Sequence, residues 1–266
     1  MIDPFGRTID YLRISVTDRC NLRCGYCRPA EGVPLIGHDD ILSYEEILEF
    51  VRAAIRYGFR KVRLTGGEPL VRRNVLSLVE RLAKIDGIED LAMTTNGTLL
   101  GRFAVPLAEA GLCRLNVSLD AVSPQRYAEI TRGGDVREVL RGLETAVAAG
   151  IDPIKLNCVI ENSPDEPDAR EVGVYAAENG FEIRYIRRMN IAEGRFWPVI
   201  GGSGGRCERC NRLRLSSDGR LRPCLFDDAA FSVRELGPEE ALSRAVAAKP
   251  RSGAYSRSNR MHAIGG

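Results

Sequence analysis

The sequence predicts an α/β fold organised around a parallel sheet, followed by a smaller segment rich in cysteine and arginine. Three observations predict it. Short apolar runs with β-branched residues alternate with helix-length amphipathic segments through the first two thirds of the 266 residues. The residues least suited to a structural core gather just after the predicted strands. The alternation then stops near Met189, where a glycine-rich loop and a hairpin pattern take over.

Strands are expected at Tyr11–Val16, Lys61–Thr65, Asp90–Thr94, Leu112–Leu119, Ile154–Ile160 and Glu182–Ile186. Ser43 is placed to cap a helix whose apolar residues Ile47, Leu48, Phe50, Val51 and Ile55 recur at helical spacing. Val136–Ala149 repeats that pattern and stops at Gly150, and Glu171–Asn179 stops at Gly180. Six β/α repeats with right-handed crossovers fit an open barrel or a doubly wound sheet. In either, chemistry sits at the C-terminal ends of strands. Asp18–Cys27, Gly66-Gly67-Glu68-Pro69, Thr95-Asn96-Gly97 and Asp120 all fall there, so they are expected to share one site.

Beyond Met189, Arg212–Ser216 and Arg220–Phe226 read as two strands around the turn dipeptide Asp218-Gly219. Alternation puts Arg212 and Arg214 on one face and Leu213 and Leu215 on the other. The chain is therefore expected to divide into residues 1–189 and 190–266, with a polar, basic end from Pro250 to Gly265-Gly266 that reads as a flexible tail.

Charge excludes some classes. Thirty-eight basic against 36 acidic residues give a net charge of +2, so there is no global field for nucleic acid. No run approaches the ~18 apolar residues of a membrane span, and the first residues lack a signal-peptide pattern. A cytoplasmic location is the expectation. Eight cysteines there point to metal or redox chemistry rather than disulfides. Cys20, Cys24 and Cys27 form C-x3-C-x2-C; Cys207, Cys210 and Cys224 form C-x2-C-x13-C. Three thiolates on one loop suit an iron–sulfur cluster, with one iron left open to a small molecule. A zinc site wants a fourth ligand, for which His38 is the sole nearby histidine of the first triad. For the second triad, a zinc knuckle stays open beside a second cluster. Cys113 and Cys158 are expected to be small buried hydrophobes.

Cys20-x3-Cys24-x2-Cys27, with Tyr26 before the last thiol, together with Thr65-Gly66-Gly67-Glu68-Pro69, resembles the radical S-adenosylmethionine (SAM) superfamily. Leu12-Arg-Ile-Ser-Val-Thr-Asp-Arg-Cys-Asn-Leu-Arg-Cys, Thr94-Thr-Asn-Gly, Asn116-Val-Ser-Leu-Asp-Ala, Cys210-Asn-Arg-Leu-Arg-Leu-Ser-Ser-Asp-Gly and the Ile264-Gly-Gly end narrow the resemblance to the GTP 3′,8-cyclase family. That resemblance implies a partial (β/α)6 barrel with a small C-terminal auxiliary-cluster domain, two [4Fe–4S] clusters and SAM as cofactors, and the first step of molybdenum cofactor biosynthesis. One-electron cleavage of SAM at the first cluster would lead to removal of the C3′ hydrogen of GTP and closure of the ribose onto guanine C8.

It further implies that Tyr26, Gly66, Gly67, Glu68, Ser118, Arg184 and Met189 contact SAM. Arg13, Lys61, Arg63, Thr94, Lys155, Arg212, Leu213 and Arg214 would contact GTP, with the Gly265-Gly266 tail threading into the site. Strand-borne cations fit that role, because drawing Arg13, Lys61, Arg63 and Lys155 inward is costly unless an anion neutralises them. They would otherwise face solvent or pair with Glu68, Asp120 and Glu182. A solvated or RNA-binding hairpin also accounts for Arg206, Arg209, Arg212, Arg214, Arg220 and Arg222, although aromatic interleaving is missing there. Implied partners are a flavodoxin- or ferredoxin-type electron donor and a downstream pterin synthase, with no membrane and no nucleic acid; a homodimer is one assembly left open. The alternative activity is radical chemistry on another nucleotide or on a peptide. Two departures from the family stand out. The segment after Met189 is some tens of residues short, and Arg187 stands where the family has glutamate; pairing with Asp227 or Glu182 would accommodate it.

Overall fold

A computed structural model describes residues 1–259. Nine strands form one sheet in the order β6-β5-β4-β3-β2-β1-β7-β8-β9. The six sequence-consecutive strands are β1 (Tyr11–Ser15), β2 (Lys61–Thr65), β3 (Asp90–Thr95), β4 (Arg114–Ser118), β5 (Ile154–Ile160) and β6 (Glu182–Arg187). Each pairs in parallel with the next. Strands that follow one another in sequence and in space make a partial barrel rather than a doubly wound sheet, in which the strand order would reverse at a switch point. The barrel does not close between β6 and β1.

Helices α1 (Tyr44–Arg56), α2 (Val75–Ala83), α3 (Leu100–Glu109), α4 (Pro124–Thr131), α5 (Val136–Ala148) and α6 (Pro167–Glu178) connect these strands. Ser43 caps α1 as expected: its hydroxyl accepts from Glu46 N at 3.1 Å, and Glu46 returns the favour to Ser43 N at 2.7 Å, a complete capping box. Arg234 holds the same Glu46 carboxylate, which lies at about 2 in pKa, because this ion pair outweighs its partial burial. Helix α6 starts one turn before the expected Glu171, because Pro167 occupies its first position, where a missing N–H costs nothing.

The two faces of the sheet are chemically opposite. Leu12, Ile14, Val62, Leu64, Met93, Leu115, Val117 and Leu156 are fully buried outward, against Leu48, Leu78, Leu107, Leu143 and their neighbours on the helices. Each such side chain contributes roughly 1.5–3 kcal/mol. The alternate residues, which include Arg13, Arg63, Thr94, Arg114 and Asn116, face the barrel interior.

After β6 the chain crosses to the opposite edge of the sheet. There β7 (Arg212–Leu215) lies parallel to β1, and β8 (Arg220–Arg222) and β9 (Phe231–Ser232) follow antiparallel. The segment after residue 189 therefore extends the barrel's own sheet. Strand β8 ends at Arg222 rather than Phe226, since Pro223 has no N–H to continue a ladder. Helices α7 (Val233–Leu236) and α8 (Pro238–Ala247) close the described chain, α8 against α1. Cys158 is buried as expected, but Cys113 is exposed: β4 begins at Arg114, which leaves Cys113 in the preceding turn. No helix among the described residues is long and apolar enough to cross a membrane.

Ser43→Ala should lower stability by about 1 kcal/mol through loss of the cap. A denaturant midpoint that falls with an unchanged m-value is the expected reading.

Candidate active site

The first cysteine triad is held by the loop after β2. Gly67 N donates to Thr17 O and Glu68 N to Arg19 O, both at 2.7 Å, so this turn lies directly against the chain entering Cys20. A Cβ on Gly67 would sit 2.2 Å from Arg19 O, and one on Gly66 would sit 2.8 Å from Thr17 O. Glycine is required because backbone meets backbone. Glu68, 1% exposed, accepts from Leu70 N, Thr95 Oγ1 and Asn96 N at 2.7–3.0 Å. Burial pushes its carboxyl up to about 7 despite those donors. Asn96 in turn donates to Asn21 Oδ1 at 2.9 Å and reaches Cys20 Sγ at 3.8 Å. Glu68 thus fastens the end of β3 to the cysteine loop.

Cys20, Cys24 and Cys27 line one cavity of about 200 Å³ with Tyr26, Gly66, Gly67, Thr94 and Ser118. Burial raises the thiols of Cys24 and Cys27, to about 12 and about 11. Among the described residues no three ligating groups lie close enough to hold a single metal ion. The three thiols nevertheless line one cavity, and thiolates are the usual ligands of an iron–sulfur cluster. Tyr26 donates to Asp120 Oδ2 at 2.7 Å, and Asp120 Oδ1 accepts from Val159 N at 2.8 Å. Burial pushes Asp120 up to about 6. Asp120, expected near the site from its position after β4, is thereby the group that orients Tyr26.

A second cavity, of about 380 Å³, is cationic. Strand register explains it. Arg222, Arg214, Arg13 and Arg63 are successive partners across β8, β7, β1 and β2, and so form one transverse row. Arg212, Tyr11 and Lys61 form the row beside it. Arg13, Arg63, Arg214 and Arg222 are all buried. Burial, then the neighbouring cations, depresses the Arg214 guanidinium. The Nε atoms of Arg63, Arg184, Arg212 and Arg214 are buried without a hydrogen-bond partner among the described residues.

The same cavity is lined by Cys207, Cys210 and Cys224. Burial works to raise Cys210, but Lys249, Arg212 and Arg214 bring it down to about 7. Arg7 fixes this corner from the N-terminus: its guanidinium donates to Cys207 O and Pro250 O, both at 2.6 Å, and pairs with Asp3. Asn157, Ile186 and Met189 line both cavities and are the boundary between them.

The expected residues distribute as follows. Arg13, Lys61, Arg63, Arg212 and Arg214 meet beside the second triad. Thr94 lies with the first triad, its Oγ1 buried and unpartnered among the described residues. Lys155 lines neither cavity and pairs with Glu182, the pairing expected if no anion held it. Lys61 pairs with Asp10 at 3.0 Å while still lining the cationic cavity. Leu213 packs into the apolar core on the face opposite Arg212 and Arg214, so its side chain does not reach the cavity. Arg184 lines the cationic cavity rather than that of the first triad. Arg187 donates to Glu161 O at 2.9 Å and stacks on Trp197 at 4.2 Å; it pairs with neither Asp227 nor Glu182. Gly265 and Gly266 lie outside the described residues. Arg114, Asn157, Arg7 and Lys249 had no sequence signal, since each is brought in by long-range pairing or packing.

A partial barrel with a thiol triad at the mouth of β1 is the arrangement of radical SAM proteins, and the family model described as Radical SAM superfamily matches residues 14–167. The GTP 3′,8-cyclase of Moorella thermoacetica is 43% identical over 303 residues, covering 94% of each chain. That of Alkaliphilus oremlandii is 37% identical over 320 residues, covering the whole of both. The chain belongs to the GTP 3′,8-cyclase family of radical SAM proteins. Among solved structures, SuiB of Streptococcus suis has a TM-score of 0.59 at 16% identity, covering 86% of this chain and 64% of that one. The anSMEcpe structure with bound AdoMet has a TM-score of 0.57 at 19% identity, covering 70% and 52%. At these identities the likeness is one of fold.

Gly67→Ala should push the cysteine loop away and empty the first triad. Anaerobically reconstituted protein is expected to fall from about eight irons per chain to about four.

Proposed function

We propose that this chain is a GTP 3′,8-cyclase acting in molybdenum cofactor biosynthesis, and that its two cavities hold one nucleotide between two clusters. The observation that carries the reading is the transverse row of buried arginines beside the second triad. Like charges on adjacent strands repel, and desolvation adds to the cost, so the Arg63, Arg212 and Arg214 guanidiniums that line the cavity suit a multivalent anion. A triphosphate supplies one, and guanidinium forks match its oxygens bidentately.

The chemistry supplied at Cys20, Cys24 and Cys27 by a bound [4Fe–4S] cluster with SAM is one-electron reductive cleavage of SAM. The chain's own groups bind, orient and shield. Tyr26, held by Asp120, offers an aromatic face to an adenine, and the Gly66-Gly67 turn brings backbone close to the cavity with no side chain between. Ser118 and Met189 complete the wall, with Glu68 bracing the turn. Arg13, Arg63, Arg212 and Arg214, with Lys61, take the phosphates, and the base then lies toward Cys207, Cys210 and Cys224, which hold a second cluster. Thr94 presents its hydroxyl to the cavity of the first triad. Arg184, being on the cationic wall, serves a charge at the junction of SAM and nucleotide. Lys155 reaches an anion only by leaving Glu182. The apolar pair Ile186 and Met189 at the boundary keeps water from the reacting carbons.

The reading carries with it a cytoplasmic site of action, a flavodoxin- or ferredoxin-type electron donor and a downstream pterin synthase. It also assigns residues 1–189 to the SAM-binding barrel and 190–266 to the auxiliary cluster.

Incubation with SAM, dithionite and GTP labelled with deuterium at C3′ tests the reading: the label should appear in 5′-deoxyadenosine, and a chromatographically new nucleotide should form. Unlabelled 5′-deoxyadenosine with GTP recovered intact would refute it. Cys24→Ala should abolish 5′-deoxyadenosine formation. Arg212→Ala and Arg214→Ala should each weaken GTP binding roughly tenfold to a hundredfold, the loss of one or two charge-assisted hydrogen bonds, while SAM cleavage without nucleotide persists.

A further inference from the structure

Lys249 follows the last turn of α8 and is 2% exposed. Its Nζ donates to Arg212 O and to Pro223 O, both at 2.8 Å. Arg212 opens β7 just after Cys210 and Asn211, and Pro223 directly precedes Cys224. One ammonium therefore ties together two segments that the whole β7–β8 hairpin separates in sequence, each bearing a thiol of the second triad.

Its charge has no carboxylate partner among the described residues. The acidic groups acting on it are Cys210 and Cys224, and Arg214 also bears on it. A lysine this deep is costly without an anion. The surrounding side chains make the cost worse, since the cavity wall is already cationic. Thiolates on a cluster are the anions in reach.

We propose that Lys249 is the charge-compensating and positioning residue of the second triad: its ammonium offsets the negative charge of a thiolate-bound cluster, and its two carbonyl contacts hold the Cys210 and Cys224 segments in register. The proposal rests on the reading that this triad holds an iron–sulfur cluster. A fixed positive charge beside a cluster stabilises the reduced form, so the lysine raises the midpoint potential.

The test isolates the second cluster in the full chain by replacing Cys20, Cys24 and Cys27 with alanine. After anaerobic reconstitution, iron and sulfide are counted and a dithionite titration is followed by electron paramagnetic resonance. The parent should hold about four irons per chain. Lys249→Gln keeps a donor for the two carbonyls but loses the charge; its midpoint should move to more negative potential, or the cluster should be lost. Lys249→Arg should retain the cluster with a midpoint near the parent's. Circular dichroism checks folding, and if Lys249→Gln does not fold, Lys249→Met decides in its place by the same criterion. An unchanged midpoint at full iron content in the neutral variant overturns the role of Lys249 and leaves the cluster reading intact. So does a Lys249→Arg variant indistinguishable from the neutral one. A parent that takes up neither iron nor sulfide overturns both.

Discussion

Everything at the centre of this molecule is governed by the register between β7 and β1. That pairing sets Arg214 beside Arg13 and Arg212 beside Tyr11, while Cys210 precedes the strand and Lys249 binds its first carbonyl. A slip of one residue would turn Leu213 and Leu215 into the barrel and the two arginines into the core. Burying Leu213 and Leu215, both fully enclosed, holds the register and so holds two guanidiniums in a place neither would occupy alone. The apolar face contributes the free energy, and the polar face uses the geometry it enforces.

The consequence is a charge imbalance that the protein does not remove internally. Some cations have carboxylate partners: Lys155 has Glu182, and Lys61 and Arg114, which line the cavity, have Asp10 and Asp90. Among the described residues, Nε atoms without a hydrogen-bond partner sit on Arg63, Arg114, Arg184, Arg212 and Arg214 around the cavity, and on Arg222 outside its lining. Buried guanidinium nitrogens without partners gathered around one cavity mark it as a candidate ligand site rather than a merely basic surface. Glu68 and Asp120 show the complementary pattern by the first triad. Both are buried carboxyls whose acceptor atoms are taken by backbone and hydroxyl donors, which makes them scaffolding for the cysteine loop and Tyr26.

What could be read from the sequence follows the range of the interactions. Lys61–Thr65 and Ile154–Ile160 were legible residue for residue, because β-branched runs and flanking turns are local signals. So were the Ser43 cap and the Asp218-Gly219 turn, where Gly219 has φ of +80°. Helices α2 and α3 carry no side-chain cap, and α3 holds Pro106 inside it, so neither announces its limits. The cysteine triads were visible as spacings, and the arginines as types. That Arg184 would face the second triad's cavity was not, nor that Lys249 and Arg7 would bind backbone carbonyls of the segments carrying that triad. Parallel pairing between strands some two hundred residues apart leaves no trace in either strand.

The connection from β6 to β7 forms part of the wall of the cationic cavity. The Alkaliphilus oremlandii alignment runs to 320 positions against the 266 residues of this chain, so about 54 positions have no counterpart here. The crossing from β6 to β7 is nevertheless anchored. Tyr185 and Ile200 exchange backbone hydrogen bonds at 3.0 and 3.1 Å, which occupies part of the exposed edge of β6. At the far end, a Cβ on Gly205 would lie 2.0 Å from Trp197 O, so the loop doubles back on itself with backbone against backbone. That fold presents Trp197 and Val199 to the cationic cavity and places Trp197 under the Arg187 guanidinium. Stacking and the hydrogen bond to Glu161 O together fix the Arg187 guanidinium. The loop that lines the cavity through Trp197 thus also supplies the ring on which the Arg187 guanidinium stacks.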